Sequence, residues 1–333
     1  MSLTIGKMRR LQQCSTPDGM FVIVALDHRE DLRSLLKPIE PDSLSYGEMV
    51  AFKSEVVQSL AGVVSAVLLD PEYGAAQAIA SGSLPGNIGL LVTLGAAGYA
   101  GDATNRRTVL LENWGVEKIA RMGASAVKLR LAYHPEAKNA AKQEALVDEV
   151  AAACREADIP LFLEPLSYSL EGKGKTLASA EKRAVVVESA RRLSSRGIDV
   201  LKAEFPLNAK EEPRRGEWES ACAELTEASA VPWVLLSGGI NFKEFRQQTE
   251  IACRFGASGV VGGRAVWKEA TELRNKAHDD FLAKTAVERM VELGDLISEY
   301  GTPWTKYHPN PAEDVGEGWY GRYGENYELR ITN

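Results

Sequence analysis

The sequence predicts an α/β protein closed as a (β/α)8 TIM barrel with a C-terminal helical and aromatic extension. Three observations carry that expectation: eight short apolar runs, amphipathic Ala/Glu/Lys-rich stretches of helix length between them, and charged residues gathered where the runs end. The runs lie at 21–27, 64–70, 88–94, 124–130, 160–165, 198–205, 232–237 and 258–264, the third being the weakest. Most are apolar throughout rather than alternating, as parallel strands are when both of their faces are covered. Apolar residues return every three or four positions at 47–60, 142–157, 181–196, 218–228 and 242–255, the period of helices packed on a sheet. A doubly wound open sheet shares this alternation and is the main competitor.

The chain has 333 residues, 45% hydrophobic, 26% charged and 7% aromatic, which excludes collagen-like, fibrous and disordered classes. A prior of about 150 residues per domain would give two domains, but a barrel of this kind commonly occupies about 250 residues as one unit. No short-period repeat and no linker between unlike halves is evident. The expectation is therefore one domain over 1–333, with the barrel at 20–267 and the extension at 268–333. Helices are expected at 268–283 and 286–300. The tail beyond them carries Trp304, Tyr307, Trp319, Tyr320 and Tyr323, too aromatic for a disordered appendage. It is expected to pack on the barrel or on a partner subunit, so a homo-oligomer is compatible with it.

Thirty-nine Lys plus Arg against 46 Asp plus Glu give a net charge of -7, so there is no basic field for nucleic acid or an anionic membrane surface. A small phosphorylated ligand needs only two or three local donors and stays compatible. Cys14, Cys154, Cys222 and Cys253 form no C-x-x-C pair, which speaks against a zinc ribbon or a disulfide framework and for buried small apolar residues. Lys7, Arg9 and Arg10 open the chain without the apolar stretch of a signal peptide, and no apolar run exceeds strand length. A cytoplasmic location is expected. His28, His134, His278 and His308 have no paired spacing, so neither a metal nor another cofactor is expected.

In such a barrel the chemistry collects at the C-terminal strand ends. The first run ends in Asp27, followed by His28 and Arg29, and the second in Asp70; the fourth carries Lys128 and Arg130, the fifth Glu164, the sixth Lys202 and Glu204. Strand residues two apart share a face, so Lys202 and Glu204 are expected to point together into the barrel, as are Lys128 and Arg130. Asp27 and Glu164 can face the axis by the same parity. A structural ion-pair network is the plain alternative. A lysine at this place has a further use: its neutral amine can attack a carbonyl and form an imine, an electron sink for making or breaking a carbon–carbon bond. A second cation such as Lys128 promotes loss of its proton while the carboxylates oppose it, so the sign of any shift stays open. Glu164 is the best placed acid/base. The seventh and eighth runs end in Leu236-Ser237-Gly238-Gly239 and Gly262-Gly263-Arg264, where glycine backbone can approach an anion, and these loops are the usual phosphate cradle of the fold. Asp70-Pro71-Glu72-Tyr73-Gly74 also reads as a simple strand-ending turn.

With Lys202 in Asp-Val-Leu-Lys-Ala-Glu-Phe-Pro, Leu-Leu-Asp-Pro-Glu-Tyr-Gly at 68–74 and a later Leu-Ser-Gly-Gly, the chain resembles the tagatose 1,6-bisphosphate aldolase family from about Ala25 to Trp267. These are class I aldolases on a TIM barrel, to which the sulfofructose-phosphate aldolases are similar. The resemblance implies that Lys202 is the Schiff-base lysine, that Glu164 is the acid/base, and that Asp27 and Lys128 support them. It also implies that Ser237, Gly238, Gly239, Gly263 and Arg264 hold the phosphate of dihydroxyacetone phosphate. His28 departs from an expected Gln and Arg130 from an expected apolar residue; both, with Arg29 and the loop at 210–215, are candidates for the distal end of the sugar. The expected reaction is reversible cleavage of a ketose phosphate, such as tagatose 1,6-bisphosphate, to dihydroxyacetone phosphate and an aldehyde. A sulfofructose-phosphate aldolase is the alternative within the class, and a non-catalytic barrel that senses a sugar phosphate is the alternative outside it.

Overall fold

The structure, a computed structural model, describes residues 3–172, 174–308, 315–321 and 323–324. Eight strands form its centre: β1 (Phe21–Leu26), β2 (Ala66–Leu69), β3 (Gly89–Thr93), β4 (Ala126–Ala132), β5 (Leu161–Leu166), β6 (Val200–Ala203), β7 (Trp233–Leu236) and β8 (Gly259–Gly262). Each pairs in parallel with its neighbour in chain order, and β8 returns to β1 to close the barrel. All eight expected runs are strands, the weak third among them, and the open sheet is excluded. Closure depends on Gly259: its φ is +142°, and a Cβ there would drive into the backbone of Phe21 across the β8–β1 seam.

The helices in chain order are α1 (Ile5–Cys14), α2 (Glu30–Leu36), α3 (Tyr46–Leu60), α4 (Ala75–Ser81), α5 (Val116–Arg121) and α6 (Ala140–Glu156). They continue with α7 (Ser179–Leu193), α8 (Arg215–Ala228), α9 (Phe242–Arg254), α10 (Arg264–Trp267), α11 (Asn275–Asp280) and α12 (Val287–Tyr300). The five expected barrel helices are found, their starts moved by up to three residues. The start of α3 is set locally by a capping box, in which the Ser45 hydroxyl accepts from the Glu48 amide and the Glu48 carboxylate accepts from the Ser45 amide.

Strand parity divides the core in two. Val22, Val24, Leu26, Val127, Leu129, Leu161, Leu163, Leu201 and Ala203 pack outward against the helices. Phe21, Ile23, Ala25, Leu68, Leu91, Ala126, Phe162, Val200, Val234 and Val261 fill the interior, with Phe21 and Phe162 meeting edge to face at 5.5 Å. Packed layers of this kind make the interior a core and leave the chemistry to the next layer up.

The interior core also contains Leu3, Leu11 and Cys14 from the N-terminal segment and Trp304 from the extension. Helix α1, which the sequence analysis did not anticipate, lies across the N-terminal end of the barrel; Lys7 on it pairs with buried Asp199 at 2.8 Å. Its basic residues hide the amphipathic pattern because one of them is itself buried and paired. All four cysteines are buried and free, and burial pushes the thiols of Cys14, Cys154 and Cys253 up to about 12. No helix among the described residues is long and apolar enough to cross a membrane.

The extension corrects the expected helices. Residues 268–271 form a separate 3-10 turn, and α11 then runs without a break through a π-helical turn, Phe281–Ala286, into α12. The expected gap near 284 is a change of helical hydrogen bonding, not an end. In the tail, Trp304 is buried and donates to the Ser15 hydroxyl at 3.1 Å, Tyr323 bonds to Asp158, and Tyr320 is exposed.

Candidate active site

Asp27, Lys128, Glu164 and Lys202 form the layer above the interior core, brought together from the residue after β1 and from β4, β5 and β6. Lys128 Nζ stands 2.7 Å from Asp27 Oδ2 and 2.5 Å from Glu164 Oε2, while the other oxygen of Glu164 stands 2.5 Å from Lys202 Nζ. The four groups thus alternate in sign along one chain. Lys128, Lys202 and Glu164 are 2%, 5% and 6% exposed, so water screens little of the interaction.

This order breaks the symmetry between the lysines. Burial lowers both pKa values. Lys128 contacts two carboxylates, which outweigh burial and hold its pKa above the ordinary lysine value. Lys202 contacts only Glu164 and also feels the Lys128 charge, so burial prevails and its pKa falls. Asp27 and Glu164 are both pushed up by burial but pulled further down by Lys128 first and Lys202 second. The site holds one amine that loses its proton more readily than an ordinary lysine and one that keeps it.

One expected inward residue, Glu204, is placed elsewhere. Strand β6 ends at Ala203, so parity lapses one residue later: Glu204 accepts from the Ser167 amide at 2.7 Å and lies 3.8 Å from Lys182 on α7. Asp70 is fully buried against Lys53 and accepts from the Tyr73 amide at 2.7 Å, closing the turn after β2. Lys53 was not anticipated. It is 1% exposed, and its ammonium also donates to the carbonyls of Leu26 and His28 at 2.8 Å each, on either side of Asp27. A signal was present: Lys53 shares the buried stripe of α3 with Met49, Phe52, Val56, Val57 and Leu60.

Over β7, β8 and β1, Ser237, Gly238, Gly239, Gly263, Arg264 and His28 meet at one corner. Gly238 and Gly239 have φ of +55° and +80°, and a Cβ on Gly239 would stand 3.1 Å from the Arg264 guanidinium. The Ser237 hydroxyl accepts from the Gly263 amide at 3.1 Å, tying the two loops together. Arg264 pairs loosely with Asp31 at 3.4 Å, and its Nε has no partner among the described residues. His28 lies edge to face on Trp267 at 5.3 Å, its Nδ1 without a partner among the described residues. Burial, opposed by Asp27 and aided by Arg264 and Lys202, lowers its pKa to about 4. The imidazole is therefore neutral at neutral pH, which makes His28 a neutral hydrogen-bonding group as Gln would be.

The arginines considered for a distal anion are partly committed. Arg29 pairs with Glu72 at 2.6 Å and donates to the Gly95 carbonyl at 2.7 Å; Arg130 donates to the Gly98 carbonyl. In the 210–215 loop, Arg214 pairs with Glu212 and Arg215 with Glu250, both at the surface. Among the described residues no group of three or more His, Cys, Asp or Glu is arranged to hold a metal ion. An open groove of about 990 Å³ lies at the opposite, N-terminal face and carries no lysine–carboxylate cluster.

Fold and family together define the class: an aldolase, an aldehyde-lyase, on a (β/α)8 barrel. The chain belongs to the DeoC/LacD aldolase family, whose model matches residues 21–269. The tagatose 1,6-diphosphate aldolase of Lactococcus lactis subsp. lactis is 32% identical over 326 residues, covering 92% of this chain and 99% of that protein. A protein of the same description from Listeria monocytogenes serotype 4b (strain CLIP80459) is 31% identical over 339 residues, with coverages of 95% and 98%. Among solved structures, a fructose-bisphosphate aldolase from Plasmodium falciparum superposes with a TM-score of 0.65 at 14% identity, covering 91% of this chain and 98% of that one. An archaeal fructose-1,6-bisphosphate aldolase, whose catalytic Lys is covalently bound to the carbinolamine intermediate, gives 0.59 at 20% identity, with coverages of 89% and 100%. At these identities the structural likeness speaks for the fold.

Proposed function

We propose that this aldolase reversibly cleaves a ketose 1,6-bisphosphate, such as tagatose 1,6-bisphosphate, to dihydroxyacetone phosphate and a phosphorylated aldehyde through an imine on Lys202. The observation that carries the reading is the unequal environment of the two lysines. Only a neutral amine attacks a ketone, and Lys202 is the one whose pKa is lowered. The curated relatives named above supply the substrate class. Because the chain is an aldolase by family, a non-catalytic sensor is no longer a competing reading.

The substrate phosphate docks on Ser237, Gly238, Gly239, Gly263 and Arg264, with neutral His28 donating a further hydrogen bond. The Lys202 amine adds to the C2 carbonyl, and the resulting carbinolamine loses water to give a protonated imine. Glu164, in contact with both lysines, relays the protons, and Lys128 with Asp27 positions the hydroxyls. The imine accepts the electron pair of the C3–C4 bond as that bond breaks and the C4 hydroxyl gives up its proton, which releases the aldehyde. The enamine left behind takes a proton at C3, and water hydrolyses the imine to return dihydroxyacetone phosphate and the free amine. No cofactor enters this sequence, and the reaction fits a cytoplasmic enzyme of sugar metabolism.

Borohydride reduction in the presence of dihydroxyacetone phosphate tests the mechanism. A stable adduct located on Lys202 by mass spectrometry, and lost in Lys202→Ala, is the expected result. An adduct on another lysine, or none in enzyme that still turns over, refutes it.

A further inference from the structure

Between β3 and α5 the chain makes a hairpin at the C-terminal face of the barrel, with Gly95 bridged to Leu110 and Ala100 to Arg107. It is fastened to the scaffold. Arg29 and Arg130 hold the carbonyls of Gly95 and Gly98, the Thr108 hydroxyl accepts from the Ala132 amide at 2.9 Å, and the Asn139 side-chain Nδ2 donates to the Arg106 carbonyl at 2.7 Å.

The hairpin presents Arg106 between two aromatic rings, its guanidinium carbon 4.6 Å from the Tyr99 centroid and 4.8 Å from that of Tyr168. Its Nε donates to the Ala103 carbonyl at 3.2 Å, and its two terminal nitrogens have no partner among the described residues. Two more donors lie nearby, among the carboxylates Asp102, Glu136 and Glu181. Tyr168 is 4% exposed and takes a hydrogen bond from the Arg106 backbone, which leaves its hydroxyl hydrogen free to donate, and His134 is 3% exposed with Nε2 unpartnered among the described residues. The Nδ1 of His134 accepts from the Glu136 amide at 3.1 Å, which places the proton on Nε2, and its ring lies 6.0 Å from that of Tyr168. Buried donors without acceptors are costly in a folded protein, and two of them, on Tyr168 and His134, beside the half-buried Arg106 guanidinium mark a place for an acceptor.

The location relative to the chemistry follows from the strands. Arg130 pairs in register with Glu164, and His134 and Tyr168 each lie four residues further on, two past the ends of β4 and β5, on the C-terminal side of the lysine–carboxylate layer. Backbone pairing persists there, since the Tyr133 amide donates to the Leu166 carbonyl at 3.1 Å. Tyr133 turns into the helix-facing core.

We propose that Arg106, Tyr168 and His134 form the subsite for the distal tetrahedral oxyanion of the sugar, phosphate or sulfonate, and thereby set the preference for a substrate with an anionic group at each end. This rests on the reaction assigned above and deepens it. Arg106 supplies the charge and Tyr168 and His134 the neutral donors, while Arg29 and Arg130 position the hairpin that carries Arg106.

The test compares cleavage of a ketose 1,6-bisphosphate, a ketose 1-phosphate 6-sulfonate and a ketose 1-phosphate with no distal anion. For Arg106→Gln, kcat/KM should fall about 10- to 100-fold on a substrate with the cognate distal anion, chiefly through KM, and less than about 2-fold on the substrate without one. Tyr168→Phe keeps the ring against Arg106 and should lose about 5- to 10-fold with the same selectivity. Whether the bisphosphate or the sulfonate responds more strongly identifies the anion, and either pattern supports the subsite. Equal losses on all three substrates, or no loss on either substrate with a distal anion, overturn it. Both variants should still give the Lys202 adduct with dihydroxyacetone phosphate. Its presence with discrimination unchanged rejects the subsite alone, whereas its absence in the unmodified enzyme rejects the imine mechanism itself.

Discussion

Replacing Lys128 by Met isolates the electrostatic argument about Lys202. Each ammonium nitrogen lies 2.5 Å from a different oxygen of Glu164. That places the two cations roughly 5–7 Å apart, where two unit charges repel by about 2–3 kcal/mol at an effective dielectric of about 20. Removing Lys128 takes away this repulsion and leaves Glu164 to Lys202 alone; both changes favour the ammonium and raise the pKa of Lys202. Since the neutral amine is the reactive form, kcat/KM rises with pH through that pKa. The ascending limb of the profile should therefore move to higher pH by about 2 units in Lys128→Met. Activity at pH 7 should drop about 100-fold and recover in part at alkaline pH. Glu164→Gln removes a carboxylate and should move the limb the opposite way, on top of a slowing of about 10²–10⁴-fold from the lost acid/base. The assay is initial-rate cleavage from pH 6 to 10.5, with aldehyde release coupled to a dehydrogenase. An ascending limb that keeps its position in Lys128→Met while the plateau falls would refute the claim that Lys128 tunes Lys202.

Two further outcomes follow from the same interactions. Lys53→Met leaves Asp70 charged and buried without its partner and frees the carbonyls of Leu26 and His28, so urea unfolding should show a loss of about 3–5 kcal/mol; a loss below about 1 kcal/mol would show the pair to be dispensable. Cleavage activity should survive EDTA, because a protonated imine on Lys202 draws electrons without a Lewis acid; loss of activity restored by zinc would point to a metal-dependent reaction instead.

Where the sequence was legible, the reason is local. Eight apolar runs became eight strands because each is long enough to be buried on both faces and too short for a helix of the core. Alternation put Ala25 and Phe162 inside the barrel and Leu201 and Ala203 beneath the helices, and within each strand that rule held. It failed at Glu204, one residue past the end of β6, because parity belongs to the pleat and not to the chain beyond it. Helix α1 and the continuous α11–α12 segment escaped notice because a charged residue such as Lys7 and a change of hydrogen-bond pattern near 284 blur the period of 3.6.

Taken alone, the order of residues determined the barrel and the candidate charges at its C-terminal rim: Asp27, Lys128, Glu164 and Lys202. Tertiary structure decided what those charges do. That Lys128 meets two carboxylates and Lys202 one depends on contacts between residues up to 101 positions apart, and the sign of each pKa shift follows from that count and from burial. The same holds for Lys53, drawn from a helix to brace the end of β1, and for Arg106, clamped by a tyrosine from another loop. Periodicity reports which face of an element is buried, whereas electrostatic roles are set by distances across the barrel.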